Sequence, residues 1–571
     1  MDSKDPNVEF FNYLNTQTTK MLAALTNEQS QPDFTNFNQQ WAQLTQQSLN
    51  DPNEWVNTIA NFQQQQLNVW NQLLGNTQAK TPQTPDVDCQ QFQQQIFEYV
   101  KKSYLITSNV LNEMASQAQL DTHEKAKLEF YTNQYTQAMS PDNFAMTNPE
   151  VIQQAVATNG QSLVDGLKNL MADIEKGRIS MTDESAFTLG ENLAITEGAV
   201  VFENELFQLI HYKPQQDEVF AKPTLIVPPC INKYYILDLQ PDNSFVKYCV
   251  DQGQNTFLIS WANPTKEQGE LSWDDYVDLG VINAINIVKD ITDTPNINTV
   301  SWCVGGTLLA SALAVLKGRK DKSVNSATFL TTLLDFEQPG EISVFIDQQQ
   351  IEPLLAQAKT DGVLSGRQLA TAFNMLRSRD LIWSYVVNNY LKGKQPAPFD
   401  ILYWNGDSTN LPYQMYKFYI NEMYLNNNFI KPNGVTLCQQ SIDLSQIDVP
   451  CYFLSTIGDH IAPWKSTFKG VETFSGNCEF VLGASGHVAG VINSPVKNKR
   501  HFWVNGDQEN GADNWLESAT KKDGSWWPHW QTWLKKRAGK KISAPAYGNS
   551  QYQVIEPAPG RYVKVTLDDM K

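Results

Sequence analysis

The residues best suited to chemistry lie in Asn298-Thr299-Val300-Ser301-Trp302-Cys303-Val304-Gly305-Gly306-Thr307. The run opens apolar and β-branched, as a buried strand does, crosses a turn of small residues and continues as an alanine- and leucine-rich helix that stops at Gly318. Cys303 falls on the turn. A side chain there is lifted off the strand end, with the N-terminal amides of the next helix behind it, which is the layout of a nucleophile elbow, G-x-S-x-G. Here the pattern reads Ser301-x-Cys303-x-Gly305, with cysteine in the nucleophile position and serine in place of the first glycine.

An elbow of this kind needs an acid and then a histidine, each just past a later strand end. The chain supplies both in that order. Thr456-Ile457-Gly458-Asp459-His460 follows the strand-like run 449–455, and Gly483-Ala484-Ser485-Gly486-His487-Val488-Ala489-Gly490 follows the run 479–482. Asp459 and His487 are the acid and base expected to serve Cys303. Asp335, at the end of an earlier strand-like run, is a rival acid, and His460 adjoins Asp459; His123, His211, His501 and His529 have no comparable setting. Each signal taken singly has an ordinary structural reading, a buried cysteine or a turn aspartate. Their joint order argues for a Cys303-His487-Asp459 triad.

The oxyanion hole of such a site uses the amide after the nucleophile, Val304, and a second from the loop after an earlier strand. That loop is Val227-Pro228-Pro229-Cys230-Ile231-Asn232-Lys233; prolines carry no donor, so usable amides begin at Cys230 and Ile231, and Ile231 is the choice. Cys230 then falls at the pocket wall or serves only as a small buried filler. Sulfur at the elbow carries its own message. If the donor is a thioester, attack by cysteine exchanges one thioester for another at little cost, and the acyl group keeps its transfer potential for a later hydroxyl. A serine would trap it as an ordinary ester. The cysteine therefore points to acyl transfer from a thioester to a hydroxyl.

The elements that position these residues alternate. Strand-like runs at 206–210, 224–227, 256–261, 299–302, 327–330, 449–455 and 479–482 are separated in several places by helical patterns such as 274–291 and 307–316. Such alternation implies a largely parallel sheet covered on both faces. The expected fold is an α/β-hydrolase fold with an inserted lid at about 337–445, in a catalytic domain spanning 181–571. Residues 1–180 are glutamine- and asparagine-rich and glycine-poor, and predict a mainly helical N-terminal domain. Within it Trp55, Ile59, Phe62, Val69, Trp70 and Leu73 fall largely on one helical face, suited to packing on another helix or to meeting an apolar partner; 76–88, with two prolines and little apolar content, reads as a linker.

Composition narrows the partners. A formal net charge of −18 argues against binding through phosphates, so no nucleic acid is expected. The opening residues lack the layout of a signal peptide and no stretch reaches the ~18 apolar residues of a membrane span, so a cytoplasmic protein without a transmembrane segment is expected. Seven cysteines without a C-x-x-C pair indicate neither a disulfide framework nor a metal site.

Several motifs together resemble the class I polyhydroxyalkanoate synthases, which polymerise (R)-3-hydroxyacyl-CoA into storage polyester. They include Asn148-Pro149-Glu150, Val227 through Pro241, Ser260-Trp261-Ala262-Asn263-Pro264, Trp302 through Gly306, Leu333-Leu334-Asp335-Phe336, Gly458 through Trp464, Gly486 through Asn493 and Gly524-Ser525-Trp526-Trp527-Pro528. Ala262 stands where the family often has arginine, and Ser301 where it often has glycine. The resemblance implies Cys303 as nucleophile, His487 as general base, and Asp459 orienting His487 and helping to activate the 3-hydroxyl. It implies no cofactor, coenzyme A thioesters being the substrate, with short acyl chains such as 3-hydroxybutyryl. It also implies a homodimer, a growing polyester chain, residence at the polyhydroxyalkanoate granule surface and contact with granule coat proteins (phasins). Trp526, Trp527, Trp530 and Trp533 are candidates for helix packing or for touching polymer. A thioesterase or polyester depolymerase of the same fold, and an inactive granule-associated scaffold, are the competing readings.

Overall fold

The computed structural model describes residues 52–77 and 89–570. The expected linker therefore lies mostly outside the described residues, as do the side chains of Trp55, Ile59 and Leu73 on the predicted apolar face. The chain forms two compact units, one of the residues up to Asp183 together with Thr371–Pro398, the other of Glu184–Ala370 with Phe399–Lys571. The stretch expected as one insertion, 337–445, is divided between them.

In the first unit, helices α1 (Pro52–Thr77) and α2 (Cys89–Gln117) lie side by side, joined through Gln66, whose side-chain oxygen accepts from the Ser103 hydroxyl at 2.8 Å. On α1, Phe62 and Val69 are half-buried and Trp70 meets Tyr99 edge-on at 5.5 Å. Helices α3 (Thr122–Ala138), α4 (Pro149–Ala157) and α5 (Gln161–Lys176) follow. Asn148 caps α4, its side chain accepting from the amides of Glu150 and Val151, which explains the Asn148-Pro149-Glu150 motif as a helix start. Buried Asp173 accepts from Ser180 and from Tyr390, so the returning segment 371–398 is tied to α5 by hydrogen bonds as well as by packing of Leu170 on Val386 and Tyr390.

The second unit is built on an eleven-stranded sheet. In chain order its strands are β1 (Gly198–Glu203), β2 (Phe207–Tyr212), β3 (Thr224–Val227), β4 (Thr256–Trp261), β5 (Ile297–Trp302), β6 (Val324–Leu330), β7 (Cys451–Thr456), β8 (Cys478–Gly483), β9 (His501–Val504), β10 (Thr520–Asp523) and β11 (Glu556–Pro557). Across the sheet they run β10-β9-β8-β7-β6-β5-β3-β4-β2-β1-β11. The six from β4 to β8 pair in parallel, while β2, β1 and β11 on one side and β9 and β10 on the other are antiparallel. Strands β3, β4, β5 and β7 are buried along their whole length. That is why they read in sequence as continuous β-branched and aromatic runs.

Connections between parallel strands must cross over, and here helices do so. The pattern 274–291 folds as a short α turn, a π-helical stretch Tyr276–Ile282 and an α-helix Asn283–Thr292, where an unbroken α-helix was expected. Gly280 sits in the π stretch, and a Cβ there would come within 3.0 Å of the Trp261 ring, so the widened turn fits against the end of β4. Helix α6 (Val304–Gly318) leaves the elbow and is buried from Val304 through Leu316. An all-round apolar helix is one that the sheet and its neighbours enclose.

Candidate active site

The turn from β5 into α6 has the strain that an elbow demands. Cys303 holds φ 53° and ψ −128°, a backbone region that residues with a Cβ rarely occupy, and its side chain is half-exposed. Two glycines permit the bend. A Cβ on Gly305 would come within 2.5 Å of the carbonyl oxygens of Val227 and Pro228, and one on Gly306 within 2.0 Å of the Thr332 hydroxyl. The start of α6 therefore lies directly on Val227 and Pro228, where the chain leaves β3. Ser301 needs no such freedom: it is buried, and its hydroxyl donates to the Thr328 carbonyl at 2.8 Å.

Asp459 and His487 meet across the ends of β7 and β8. The imidazole Nδ1–H donates to Asp459 Oδ2 at 2.7 Å, while Asp459 Oδ1 accepts from the amides of Ile461 and Ala462, each at 2.9 Å. An acceptor-only carboxylate sets the tautomer, leaving Nε2 for the sulfur. The Gly458 amide donates to the Ser485 carbonyl at 2.8 Å, locking the two loops together. Gly490 continues that fit, since a Cβ there would strike Thr456 at 2.4 Å. Burial alone lowers the pKa of His487, but Asp459 and Cys303, through charge and hydrogen bonding, outweigh it and hold the imidazole well above its usual range. The three residues singled out from strand order thus share one site.

Four of the rival residues are otherwise engaged. Asp335 accepts from the Asn427 side chain at 2.7 Å and from the Glu337 amide at 2.9 Å, making a turn clamp. His211 stacks on Phe257 and bonds Asn255, and burial pushes its pKa down to about 4. His529 is likewise pushed down to about 4 by burial and meets the Tyr452 hydroxyl at 3.1 Å. His501 lies edge-on to Trp503.

Cys230 lies close enough to Cys303 for the thiolate charge to reach it; burial first, then that charge, raise its pKa, while the amides of Cys230 and Ile231 act in the opposite sense. Its side chain is buried. Two side chains that the sequence did not single out, Tyr419 and Tyr424, lie within electrostatic reach of Cys303. Burial raises the pKa values of Tyr419 and Tyr424, and the charge on Cys303 adds to both shifts. Their rings meet edge-on at 5.2 Å, and the Phe336 ring lies 4.8 Å from that of Tyr424. The tryptophans Trp526, Trp527 and Trp530 are fully buried. The indoles of Trp526 and Trp527 donate to the carbonyls of Gly490 and Val491, so the helix Trp527–Lys535 and its N-cap Trp526 brace the histidine loop.

A strand-to-helix elbow on a mainly parallel sheet, followed by an acid and a histidine on successive strand ends, defines an α/β-hydrolase-fold protein, and residues 223–493 match the alpha/beta hydrolase fold family. Residues 87–249 match the poly-beta-hydroxybutyrate polymerase (PhaC) N-terminus family. The poly(3-hydroxyalkanoate) polymerase subunit PhaC of Cupriavidus necator is 47% identical over 476 residues, covering 82% of this chain and 80% of the relative. That of Rhizobium etli is 42% identical over 472 residues (82% and 74%), and poly(3-hydroxyalkanoate) polymerase 1 of Ectopseudomonas oleovorans is 36% identical over 529 (91% and 93%). The chain belongs to the poly(3-hydroxyalkanoate) polymerase family. Among the described residues no helix is long and apolar enough to cross a membrane.

Proposed function

We propose that this chain polymerises (R)-3-hydroxyacyl-CoA into polyester through a thioester on Cys303. The observation that carries the reading is the strained Cys303 elbow facing an imidazole that Asp459 orients at 2.7 Å. His487 takes the thiol proton, and the thiolate adds to the acyl carbonyl. Negative charge that develops on the carbonyl oxygen is met by the Val304 and Ile231 amides. The tetrahedral adduct expels the coenzyme A thiolate, which takes the proton back from His487. In the second half-reaction His487, held by Asp459, removes the proton of a 3-hydroxyl, and that oxygen attacks a thioester carbonyl to give the ester and release a thiol. Thioester exchange is nearly isoenergetic and ester formation runs downhill, so coenzyme A release drives each cycle without a cofactor.

The acyl chains are short, such as 3-hydroxybutyryl, as the resemblance to the class I polyhydroxyalkanoate synthases implies. The N-terminal helices, the homodimer, the granule surface and its phasins belong to the same proposal as the means of handling an insoluble product. The test supplies purified protein with (R)-3-hydroxybutyryl-CoA. Release of coenzyme A together with insoluble polyester is expected; release with free 3-hydroxybutyrate and no polymer would instead mark a hydrolase.

A further inference from the structure

The turn that carries the second oxyanion amide is held by the sheet only at its start. Cys230–Lys233 leaves β3 after two prolines and passes through Asn232 in the left-handed region at φ 64°. Such a turn has little of its own to fix it. What holds it is a short stretch far along the chain, Trp404–Asn410. The Asn232 amide donates to Thr409 Oγ1 at 2.9 Å and the Thr409 hydroxyl donates to the Cys230 carbonyl, also at 2.9 Å, so one side chain closes both ends of the peptide units around Ile231. The Trp404 indole donates to the Lys233 carbonyl at 2.6 Å. Lys233 Nζ lies 2.8 Å from Asp407 Oδ1, with its side chain 3% exposed, and the Tyr235 hydroxyl donates to Asp407 Oδ2 at 3.0 Å.

The stretch is itself anchored on the other side. The Asn410 amide donates to Asn263 Oδ1 at 2.9 Å, its side-chain nitrogen donates to the Pro264 carbonyl at 3.1 Å, and the Gly366 amide donates to its side-chain oxygen at 3.0 Å. Thr409 and Asn410 are buried. The Trp261 indole donates to the Pro228 carbonyl at 2.9 Å, fixing the start of the same turn from the end of β4. Loop contacts of this density around one peptide exceed what chain connection requires.

We propose that Thr409, supported by Trp404 and Asp407, is a positioning residue for acyl transfer, holding the Cys230–Lys233 turn so that the Ile231 amide meets the developing oxyanion above Cys303. The inference rests on the assignment of Ile231 to the oxyanion hole. Thr409 touches no reacting atom; it acts through the turn. Its loss leaves the sulfur and His487 in place and weakens only the step that builds charge on oxygen.

The test uses the full chain and two reactions of the same sulfur. Alkylation of Cys303 by iodoacetamide needs the thiolate but no oxyanion donor; coenzyme A release from (R)-3-hydroxybutyryl-CoA in a single turnover needs both. Thr409→Val keeps the branched shape and removes both hydrogen bonds, and about a tenfold or greater slowing of coenzyme A release at saturating substrate is expected, with KM and the alkylation rate close to those of the parent. Thr409→Ser restores the hydroxyl and should recover most of the rate. Trp404→Phe removes one bond to the turn and serves if Thr409→Val does not fold; the same split is expected at about threefold. Unchanged coenzyme A release in the variants, or release and alkylation falling together with the melting temperature, overturns the proposal. Alkylation of the parent that leaves coenzyme A release intact would instead remove Cys303 as the nucleophile, a separate failure.

Discussion

The two halves of the site are mounted differently. Cys303, Asp459 and His487 stand at the ends of β5, β7 and β8, adjacent or near neighbours in one parallel sheet, and the backbone pairs Phe453 with Phe329 on β6 and Phe480 on β8 in register. The Ile231 amide sits on a turn stitched to Trp404–Asn410 by side chains. A sheet spaces its strands at a fixed interval and resists shear, whereas a stitched turn is only as well placed as its stitches. On the proposed assignment of Cys303 as nucleophile and Ile231 as oxyanion donor, nucleophile activation is built into the fold, and oxyanion stabilisation depends on a handful of side-chain bonds.

The difference can be broken from its strongest end first. Cys303→Ala removes the acyl acceptor, and coenzyme A release should fall by ~10⁴-fold or more with an unchanged circular-dichroism spectrum; substantial retained activity would undo the assignment. Asp459→Asn keeps the shape but leaves the imidazole without its carboxylate, and both alkylation of Cys303 and coenzyme A release should drop by ~10²–10⁴-fold. Loss of release alone would place Asp459 with the oxyanion half rather than with the sulfur. Trp530→Ala, which opens a cavity where a fully buried indole donates to Thr328, should cost about 3–5 kcal/mol in denaturant unfolding without separating the two reactions.

The smallest effect is on protonation. His487 is held above its usual pKa in part by the Cys303 charge, so in Cys303→Ala the imidazole should titrate at lower pH than in the parent, as read by NMR of the ring protons. The sign extends to stability. A folded pKa above the unfolded ~6.5 stabilises the protein fully below that value and loses its contribution as pH rises through the folded one. The variant should lose that contribution at a lower pH; an unmoved titration would mean that the sulfur is not charged beside the ring.

What could be read in advance follows the same division. Central strands such as 224–227 and 256–261 are buried on both faces and so carry continuous apolar runs, which also reveal the loops at their ends and therefore Cys303, Asp459 and His487. Edge strands leave no such mark: β10, Thr-Lys-Lys-Asp, is exposed at every residue and had no apolar signal to follow. The π-helical turn at Tyr276–Ile282 differs from an α-helix by packing, not by composition. Segment 371–398 falls with the first unit because Tyr390 and Val386 find Asp173 and Leu170, contacts between residues more than two hundred positions apart. Thr409 is one threonine in a polar loop; only its two hydrogen bonds single it out. In the motif Ser260 through Pro264, the Trp261 indole donates to the Pro228 carbonyl and Asn263 accepts from the Asn410 amide, so the motif ties down the turn after β3 and its brace.

The central claim is that the acyl group rides on sulfur. Mixing the protein with (R)-3-hydroxybutyryl-CoA, quenching in acid within one turnover and mapping the adduct by peptide mass spectrometry reads it directly. The account predicts a 3-hydroxybutyryl group on the Cys303 peptide, removed by neutral hydroxylamine as a thioester is. An adduct on a serine such as Ser301 or Ser485, or coenzyme A release with no covalent adduct at any time, would contradict it.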